Sequence, residues 1–263
     1  MTRVSWIGHA TVLIETGGRR ILTDPVLGAG IGPVRRRTTG KPIDLDAIDA
    51  VLISHLHHDH LDLPSLRRVG QDVTLVVPIG AGDLMRTNGF EVVRELGQGD
   101  GTDIGGVAIE AVYALHSGRR VPTGLVAPAL GFLLRSEHLI YFAGDTDLFP
   151  EMADLAAGID LAILPVGGWG PTLRGGHMNP VRAAAALTLL RPRAALPVHW
   201  GTLWPVGMGA VRRSRFEEPA RQFQDEASRV APDVVVSSVE PGGYLVMAED
   251  GSIEVPSASP EAS

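Results

Sequence analysis

Short apolar segments separated by glycine and proline run through much of the chain. In its first third, Val12–Glu15 and Ile21–Pro25 flank the pair Gly17-Gly18, a pattern that predicts a β-hairpin. Several later segments are fully apolar, as expected of strands buried on both faces. The further strand candidates are Ala50–Ser54, Val73–Val77, Val107–Leu115, Gly131–Arg135, Leu139–Phe142, Leu161–Val166, Ala194–Val198 and Val234–Val239.

Helical sequence lies between many of these strands. A helix is predicted over Pro180–Leu190, because Asn179 is suited to cap its first turn and Pro192 to stop it. A second helix is predicted from Glu217 to Arg229. Many strands with intervening helices indicate an α/β protein in which sheets pack together and helices lie outside.

No linker-like stretch divides the chain. We therefore predict one domain over residues 1–250, followed by a mobile tail over residues 251–263, which is rich in Pro, Ser, Ala and Glu. A chain of 263 residues with 44% hydrophobic content buries a core without covalent staples. The N-terminal residues resemble a strand rather than a signal peptide, and apolar runs are too short to span a bilayer, so we expect a cytoplasmic protein.

Charge and cysteine usage exclude several classes of function. The chain has no cysteine, which rules out disulfides, a thiolate nucleophile and cysteine-based metal sites. Its formal net charge of −7 argues against a broad nucleic-acid-binding surface. Nucleic acid is therefore not expected as a partner, while the oligomeric state stays open.

The densest chemistry is the run His55-Leu56-His57-His58-Asp59-His60, which directly follows an apolar strand candidate. Four imidazoles and a carboxylate need polar partners, and divalent metal ions supply them. Asp62 and Pro64 indicate the start of a helix, which places the run in a loop between strand and helix. A solvated polar loop with incidental metal affinity is the alternative, but the spacing favours two metal sites.

Three more candidate ligands each end or follow a predicted strand: His116, Asp145 and His199. A single histidine at a strand end is more often a structural residue than a ligand. The repetition of this position at three strands is what indicates a shared site. Together with the first run, these side chains complete the donors for two metal ions.

The pattern His55-x-His57-x-Asp59-His60, followed by His116, Asp145 and His199, resembles the metallo-β-lactamase superfamily of binuclear hydrolases over nearly the whole chain. The resemblance implies an αββα sandwich, with two mixed sheets face to face and helices outside. It also implies a ligand set. In that set, His55, His57 and His116 hold one metal ion, Asp59, His60 and His199 hold the second, and Asp145 bridges both.

A closer likeness lies in Gly8–Glu15, Leu22–Val26, Ile48–His55 and His199–Thr202. These segments resemble the branch that contains N-acyl phosphatidylethanolamine phospholipase D and the bacterial ascorbate phosphate lactonase. The branch implies hydrolysis of phosphodiester or lactone bonds, with zinc or manganese as the metal. The chain departs from the phospholipase pattern after His116, which argues against a membrane phospholipid as substrate.

The ligands imply a mechanism. Two divalent ions about 3.5–4 Å apart lower the pKa of a shared water towards about 7, which supplies a hydroxide nucleophile. By the resemblance, Asp59 is both ligand and catalytic residue, orienting the water and passing its proton to the leaving group. Zinc is the expected metal, and manganese or iron also suit these donors.

Three other functions compete with that of a hydrolase acting on a small molecule. A β-lactamase proper usually has a cysteine at the second metal, which this chain lacks. A nuclease of the superfamily is expected to carry a basic surface or an added domain. A metal-binding or regulatory protein with little catalysis would be expected to have lost a ligand, whereas all seven ligand types are present.

Several residues have two interpretations each. Asp24 either accepts a hydrogen bond from a ligand imidazole, as in the family pattern, or serves as a turn residue. His9 and His177 either face the pocket or are structural. Arg35–Arg37 meets an anion or, as the sequence favours, forms a solvated run. Trp169, Trp200 and Trp204 line the pocket or pack, and no role is assigned to His58 or His138.

Overall fold

The computed structural model describes residues 1–38, 44–120, 124–155, 158–169, 173, 175–207 and 218–256. The described strands, in chain order, are β1 Thr2–Gly8, β2 Thr11–Thr16, β3 Arg19–Thr23, β4 Gly30–Ile31, β5 Val34–Arg36, β6 Ala50–Leu52, β7 Thr74–Pro78, β8 Val93–Leu96, β9 Gly101–Ile104, β10 Val107–Tyr113, β11 Leu130–Arg135, β12 Leu139–Phe142, β13 Leu161–Pro165, β14 Ala194–Val198, β15 Leu203–Pro205, β16 Val235–Val236, β17 Tyr244–Met247 and β18 Ile253–Glu254. The described helices are α1 Leu63–Val69, α2 Gly82–Thr87, the 3-10 helix Pro150–Leu155, α3 Pro180–Leu190 and α4 Pro219–Val230.

Two mixed sheets form the body of the protein. The first runs in the order β18-β17-β1-β2-β3-β6-β7-β8, and the second in the order β16-β14-β13-β12-β11-β10-β9. In each sheet one half is antiparallel and the other parallel, with the change at β3 in the first sheet and at β12 in the second. A small third sheet joins β15, β5 and β4. The mixed sheets and flanking helices confirm the α/β architecture and the αββα sandwich.

Alternation along the strands of the first sheet produces the layers. On β2, Val12 and Ile14 belong to the large core shared with the second sheet, whereas Leu13 packs in a second core with α1 and α2. Side chains of a strand point alternately to opposite faces, so each strand serves both cores. The helices α3 and α4 pack against each other and contribute Leu187 and Phe223 to the large core.

The predicted hairpin is present as β2 and β3. Gly17 and Gly18, with φ of 58° and 70°, form its turn, and two consecutive positive φ values are the geometry that favours glycine there. Asn179 caps α3 by accepting from the Arg182 N–H at 2.9 Å, as predicted. The second predicted helix is α4, and Glu217 lies outside the described residues.

Other boundaries differ from the prediction. The strand expected over Val234–Val239 is only Val235–Val236, because it meets the sheet through β14 alone and leaves it after two paired residues. Of the tail expected to be mobile, residues 251–256 are described, and Ile253–Glu254 pairs with β17. The remaining tail residues lie outside the described part, and its mobility stays a prediction. No helix among the described residues has the length and hydrophobicity to cross a membrane.

A chain of polar side chains joins the two sheets at the end remote from the histidine run. Glu137, in the turn between β11 and β12, accepts from the N–H of Gly17 and the hydroxyl of Thr16, both at 2.9 Å. His138 is buried and lies 2.9 Å from Thr2 Oγ1 and 3.1 Å from the carbonyl of Ala248. Both side chains therefore have structural partners, in agreement with the absence of an assigned role for His138.

Candidate metal centre

The histidine run leaves the end of β6 in a tight turn. The carbonyl of His57 accepts from the N–H of His60 at 3.0 Å and from that of Leu61 at 2.8 Å. Asp62 then caps α1 by accepting from the Ser65 N–H at 3.1 Å. The side chains of the run converge because of this turn.

Three imidazoles form the first cluster. His55 Nε2 lies 2.9 Å from His57 Nδ1, and His116 Nε2 lies 3.1 Å from the same atom. His116 follows β10 by three residues, after Ala114 and Leu115, rather than ending the strand directly. The structure thus brings together the three residues expected to share one metal ion.

A second cluster joins both sheets. His60 Nε2 lies 3.2 Å from His199 Nε2, at the end of β14, and 3.1 Å from Asp145 Oδ2, beyond β12. Asp59 Oδ2 lies 3.8 Å from both of these imidazole nitrogens. These distances suit side chains that coordinate a common cation.

Asp145 lies between the two clusters. It can share an ion with His55 and His60 on one side and with His116 and His177 on the other. Gly144 permits this position, since its φ is 60° and a Cβ there would lie 2.6 Å from Ser54 Cβ. The backbone therefore brings the end of β12 directly against the start of the histidine turn.

The ligand imidazoles are oriented from behind. Carbonyl oxygens of Gly176 and Gly167 accept from Nδ1 of His116 and His199, at 2.6 and 2.9 Å. Such bonds keep the proton on Nδ1 and leave the Nε2 lone pair for a metal ion. The same logic applies to His60, whose Nδ1 lies 2.7 Å from Asp24 Oδ2.

Asp24 is a fully buried acceptor rather than only a turn residue. Its carboxylate accepts from the Ser54 N–H at 2.7 Å and from the Ser54 hydroxyl at 2.6 Å. Because that hydroxyl donates to Asp24, it accepts from Nδ1 of His55 at 3.0 Å. Asp24 therefore orients His60 directly and His55 through Ser54, one imidazole in each cluster.

The electrostatics of the site match those needed to bind a cation. Burial lowers the pKa of His116 to about 4 and that of His55 well below its usual value, so both rings are neutral. Burial opposes ionisation of Asp145, but the charges of His199 and His60 outweigh it and hold the pKa of Asp145 well below the usual carboxyl range. Neutral imidazoles and ionised carboxylates are the states that coordinate metals.

His60 carries the balancing charge in the protein without metal. Burial opposes its charge, yet Asp145, Asp24 and Asp59 outweigh burial and raise the pKa of His60 well above its usual value. Burial likewise opposes ionisation of Asp59, and neighbouring His60 and His199 reverse the effect, so its pKa is lowered. A proton on His60 thus occupies the region into which a divalent ion would bind.

One buried atom tests whether a metal suits these residues. Among the described residues, no hydrogen bond reaches Asp145 Oδ1, although His199 Nε2 lies 3.1 Å away. His199 already donates through Nδ1, so in its neutral form Nε2 presents a lone pair to this oxygen. An imidazole coordinates a metal in its neutral form, and two acceptors this close then need a cation between them, so the donor set fits a metal ion.

The remaining histidine candidates both face the site. His9 Nε2 lies 3.0 Å from Asp59 Oδ2, and the His9 ring is buried beside that of His199. His177 Nε2 lies 3.3 Å from Asp145 Oδ2, and its side chain is 21% exposed. His58 points outward, towards Arg120, as expected.

The arginine and tryptophan candidates divide between site and framework. Trp169 donates its indole N–H to Asp59 Oδ2 at 2.9 Å, so it lines the site. Trp200 packs on Trp6 in the core, and Arg37 lies over the Trp204 ring. The expectation of a solvated arginine run is wrong for Arg36, whose half-buried guanidinium donates to the carbonyls of Val26, Ile7 and Gly28.

Sequence reasoning missed two supports of the site. Ser54 links Asp24 to His55, and its position directly before the run was the available signal. Arg120 donates to the carbonyls of Leu56, at 2.8 Å, and Leu61, at 3.3 Å, and so holds the histidine turn at both ends. Nothing in the sequence pairs Arg120 with those carbonyls, because the contact depends on the path of the loop after His116.

Comparison with known proteins agrees with this geometry. The family described as "Beta-lactamase superfamily domain" matches residues 19–200. A UPF0173 metal-dependent hydrolase of Nitratidesulfovibrio vulgaris is 32% identical, over 94% of this chain and 95% of that protein. An N-acyl-phosphatidylethanolamine-hydrolyzing phospholipase D of Caenorhabditis elegans is 30% identical, over 77% of this chain and 64% of that protein. An uncharacterised protein of Mycobacterium tuberculosis is 35% identical over 76% of this chain, which spans only 58% of that relative's length.

Solved structures show the same fold. Igni18, a metallo hydrolase of the archaeon Ignicoccus hospitalis, superposes with a TM-score of 0.70 at 23% identity, covering 92% of this chain and 97% of that one. An isothiocyanate hydrolase from Delia radicum gut bacteria gives a TM-score of 0.68 at 20% identity, covering 93% and 98%. Sequence, fold and the cluster of histidines and aspartates agree: the chain belongs to the metallo-β-lactamase superfamily, and it is similar to proteins named as metal-dependent hydrolases.

Proposed function

We propose that the protein binds two divalent metal ions and hydrolyses a phosphodiester or lactone bond of a small molecule. The observation that carries the proposal is the position of Asp145 between two clusters of imidazoles, with one carboxylate oxygen lacking a hydrogen bond among the described residues. In this proposal His55, His57 and His116 would hold the first ion, Asp59, His60 and His199 would hold the second, and Asp145 would be shared by both.

The bound ions would supply a water of lowered pKa and an electrophile for the oxygen of the scissile ester. The protein supplies the remaining parts. Asp59 accepts the proton of the attacking water on its carboxylate and delivers it to the leaving oxygen, while its hydrogen bonds hold it in place. His177, partly exposed beside Asp145, is placed to hydrogen-bond the substrate.

The class of bond follows from similarity and from the donor set. The nematode relative is named for cleavage of a phospholipid by a phospholipase D, an enzyme type that acts on phosphodiesters. Imidazoles and carboxylates suit zinc, and the oxygen donors also admit manganese or iron. The net charge of −7 favours a small molecule over nucleic acid as substrate.

The test combines metal analysis with an activity panel. Metal-free protein is reconstituted with zinc or manganese and assayed with bis-p-nitrophenyl phosphate, lactones and thioesters. We expect two equivalents of metal and hydrolysis that a chelator abolishes. One equivalent at saturation, or activity that survives chelation, would contradict the dinuclear proposal.

An Asp59→Asn variant tests the proposed proton transfer. We expect it to keep the fold and lose most turnover, because an amide does not accept the proton. Retention of both metal ions together with full turnover would exclude this role. An Asp160→Asn variant is the matched control, since Asp160 accepts from the Leu139 N–H far from the metal clusters.

A further inference from the structure

The carboxylate of Asp59 receives two hydrogen bonds on one oxygen. His9 Nε2 lies 3.0 Å from Oδ2, and the Trp169 indole donates to the same atom at 2.9 Å. An ionised carboxylate oxygen offers two lone pairs, so Oδ2 accepts both bonds. The same oxygen lies 3.8 Å from Nε2 of His60 and of His199, so the two bonds fix the carboxylate beside these candidate ligands.

His9 is held in this position by an unusual backbone. It follows a shift of register between β1 and β2, and its φ of 54° lies in the left-handed region that non-glycine residues rarely adopt. Three hydrogen bonds fix it there. Its N–H donates to Thr202 Oγ1 at 2.8 Å, and its carbonyl accepts from the His199 N–H at 2.9 Å and the Trp6 indole at 2.8 Å.

Such strain persists only where the surroundings compensate for it, and it is concentrated at functional sites. Here the compensation comes partly from His199, itself a candidate ligand. The strained turn therefore sets the His9 ring against Asp59 and the same bonds fix the loop that carries His199. The His9 side chain is 1% exposed, so it does not reach substrate in solvent.

The chemistry of its two neighbours at Oδ2 agrees with a donor role for His9. Asp59 as a carboxylate only accepts, which places the single proton of His9 on Nε2. Trp169 is a donor only, so both partners of Oδ2 act in the same direction.

We propose that His9 and Trp169 are positioning residues, which hold the Asp59 carboxylate by two hydrogen bonds to Oδ2 and so fix its place beside His60 and His199 in the second candidate metal site. This inference rests on the proposed function. It assigns no ligand role to His9, although His9 lies among the donors grouped with Asp59, His60 and His199. A positioning residue donates its Nε2 proton to Asp59, whereas a metal ligand would present an Nε2 lone pair to the ion.

Four variants distinguish the roles. His9→Gln keeps an N–H at the position of Nε2, whereas His9→Met removes it at similar bulk. Trp169→Phe removes the second donor from a partly exposed ring, and Trp204→Phe is its control, because Trp204 packs against Arg37 instead. Binding of zinc to each protein, initially metal-free, is measured by competition with a chromophoric chelator, and the melting temperature of each metal-free protein is recorded.

We expect His9→Met and Trp169→Phe to lower the affinity for the second zinc equivalent by about 10- to 100-fold, the usual cost of losing a partner that orients a ligand. In these two variants the first zinc equivalent should bind as tightly as in the unmodified protein. His9→Gln and Trp204→Phe should bind both equivalents as tightly as the unmodified protein does. Metal-free melting temperatures should stay within a few degrees. Turnover should decrease across the variants in the same order as the affinity for the second zinc equivalent.

Two results would overturn the inference while leaving the proposed function intact. One is an unchanged affinity for the second zinc equivalent in both His9→Met and Trp169→Phe. The other is complete loss of binding of the second equivalent in His9→Gln, which would make His9 a ligand. If His9→Met does not fold, Trp169→Phe decides. Failure of the unmodified protein to bind two equivalents would instead refute the proposed function.

Discussion

Replacement of Asp24 by asparagine tests how the buried support of the metal centre works. Asp24 accepts three hydrogen bonds, at 2.6 to 2.7 Å, from the N–H and hydroxyl of Ser54 and from His60 Nδ1. An asparagine of the same shape keeps one acceptor oxygen and replaces the other by an NH₂ group. That group faces the Nδ1 proton of His60, so donor meets donor.

His60 then relieves the conflict by losing its Nδ1 proton and keeping the proton on Nε2. That nitrogen lies 3.1 Å from Asp145 Oδ2 and 3.2 Å from His199 Nε2, in the region where a metal ion is expected. Loss of a partner that orients a ligand costs about 10- to 100-fold in metal affinity, or about 1.4–2.7 kcal/mol. Because the Ser54 hydroxyl also connects Asp24 to His55, the loss should affect both metal equivalents.

The assay is chelator competition with zinc on metal-free Asp24→Asn protein. Asp160→Asn is the control, because Asp160 accepts from a backbone N–H without touching an imidazole. The affinity for both zinc equivalents should decrease in Asp24→Asn and stay unchanged in Asp160→Asn. Affinities within twofold of the unmodified protein in Asp24→Asn would refute the proposed support of both imidazoles.

Three further predictions follow from other contacts. Arg120→Met, which removes the donors to the Leu56 and Leu61 carbonyls, should lower metal affinity measured by the same competition, and the exposed neighbour Arg119→Met should not. Removal of metal should lower the melting temperature in calorimetry, since at an ion concentration 1,000 times Kd binding stabilises the fold by about 4 kcal/mol; an unchanged temperature would contradict tight binding. Although burial opposes its charge, hydrogen bonds from the Gly17 N–H and the Thr16 hydroxyl lower the pKa of Glu137 to about 2. Its stabilisation is therefore complete above about pH 4.5, the usual glutamate value, and is lost as the pH falls towards 2, so the urea midpoints of metal-free protein and Glu137→Gln should converge in acid.

The sequence was sufficient to predict the fold and to select the residues that meet at the centre. The apolar strands and intervening helices indicated an α/β protein. The spaced histidines and aspartates carried the family resemblance, and that resemblance implied the αββα sandwich and the ligand set. In the structure His55, His116, Asp145 and His199 lie close together, as the resemblance implies. Their role as metal ligands stays a prediction that metal analysis tests.

The unpredicted features depend on tertiary structure. The left-handed turn at His9 is set by hydrogen bonds to Thr202 and His199, nearly two hundred residues away in sequence, and no local pattern indicates it. The same holds for Trp169 and Arg120, whose partners lie across loops rather than along one element. The arginine run was predicted to be solvated because charged runs usually are, whereas Arg36 donates to backbone carbonyls.

The division of the donors between two sheets has a consequence for damaged or unfinished chains. His55, His57, Asp59 and His60 follow β6 in one layer, and His116, Asp145 and His199 follow strands of the other. A fragment that contains a single layer has at most four of the seven groups, and neither of the expected coordination sets is whole. Under the proposed function, proteolytic nicking that separates the layers should thus yield inert pieces rather than a weakened hydrolase, so that activity would require both halves of the molecule to be present and docked.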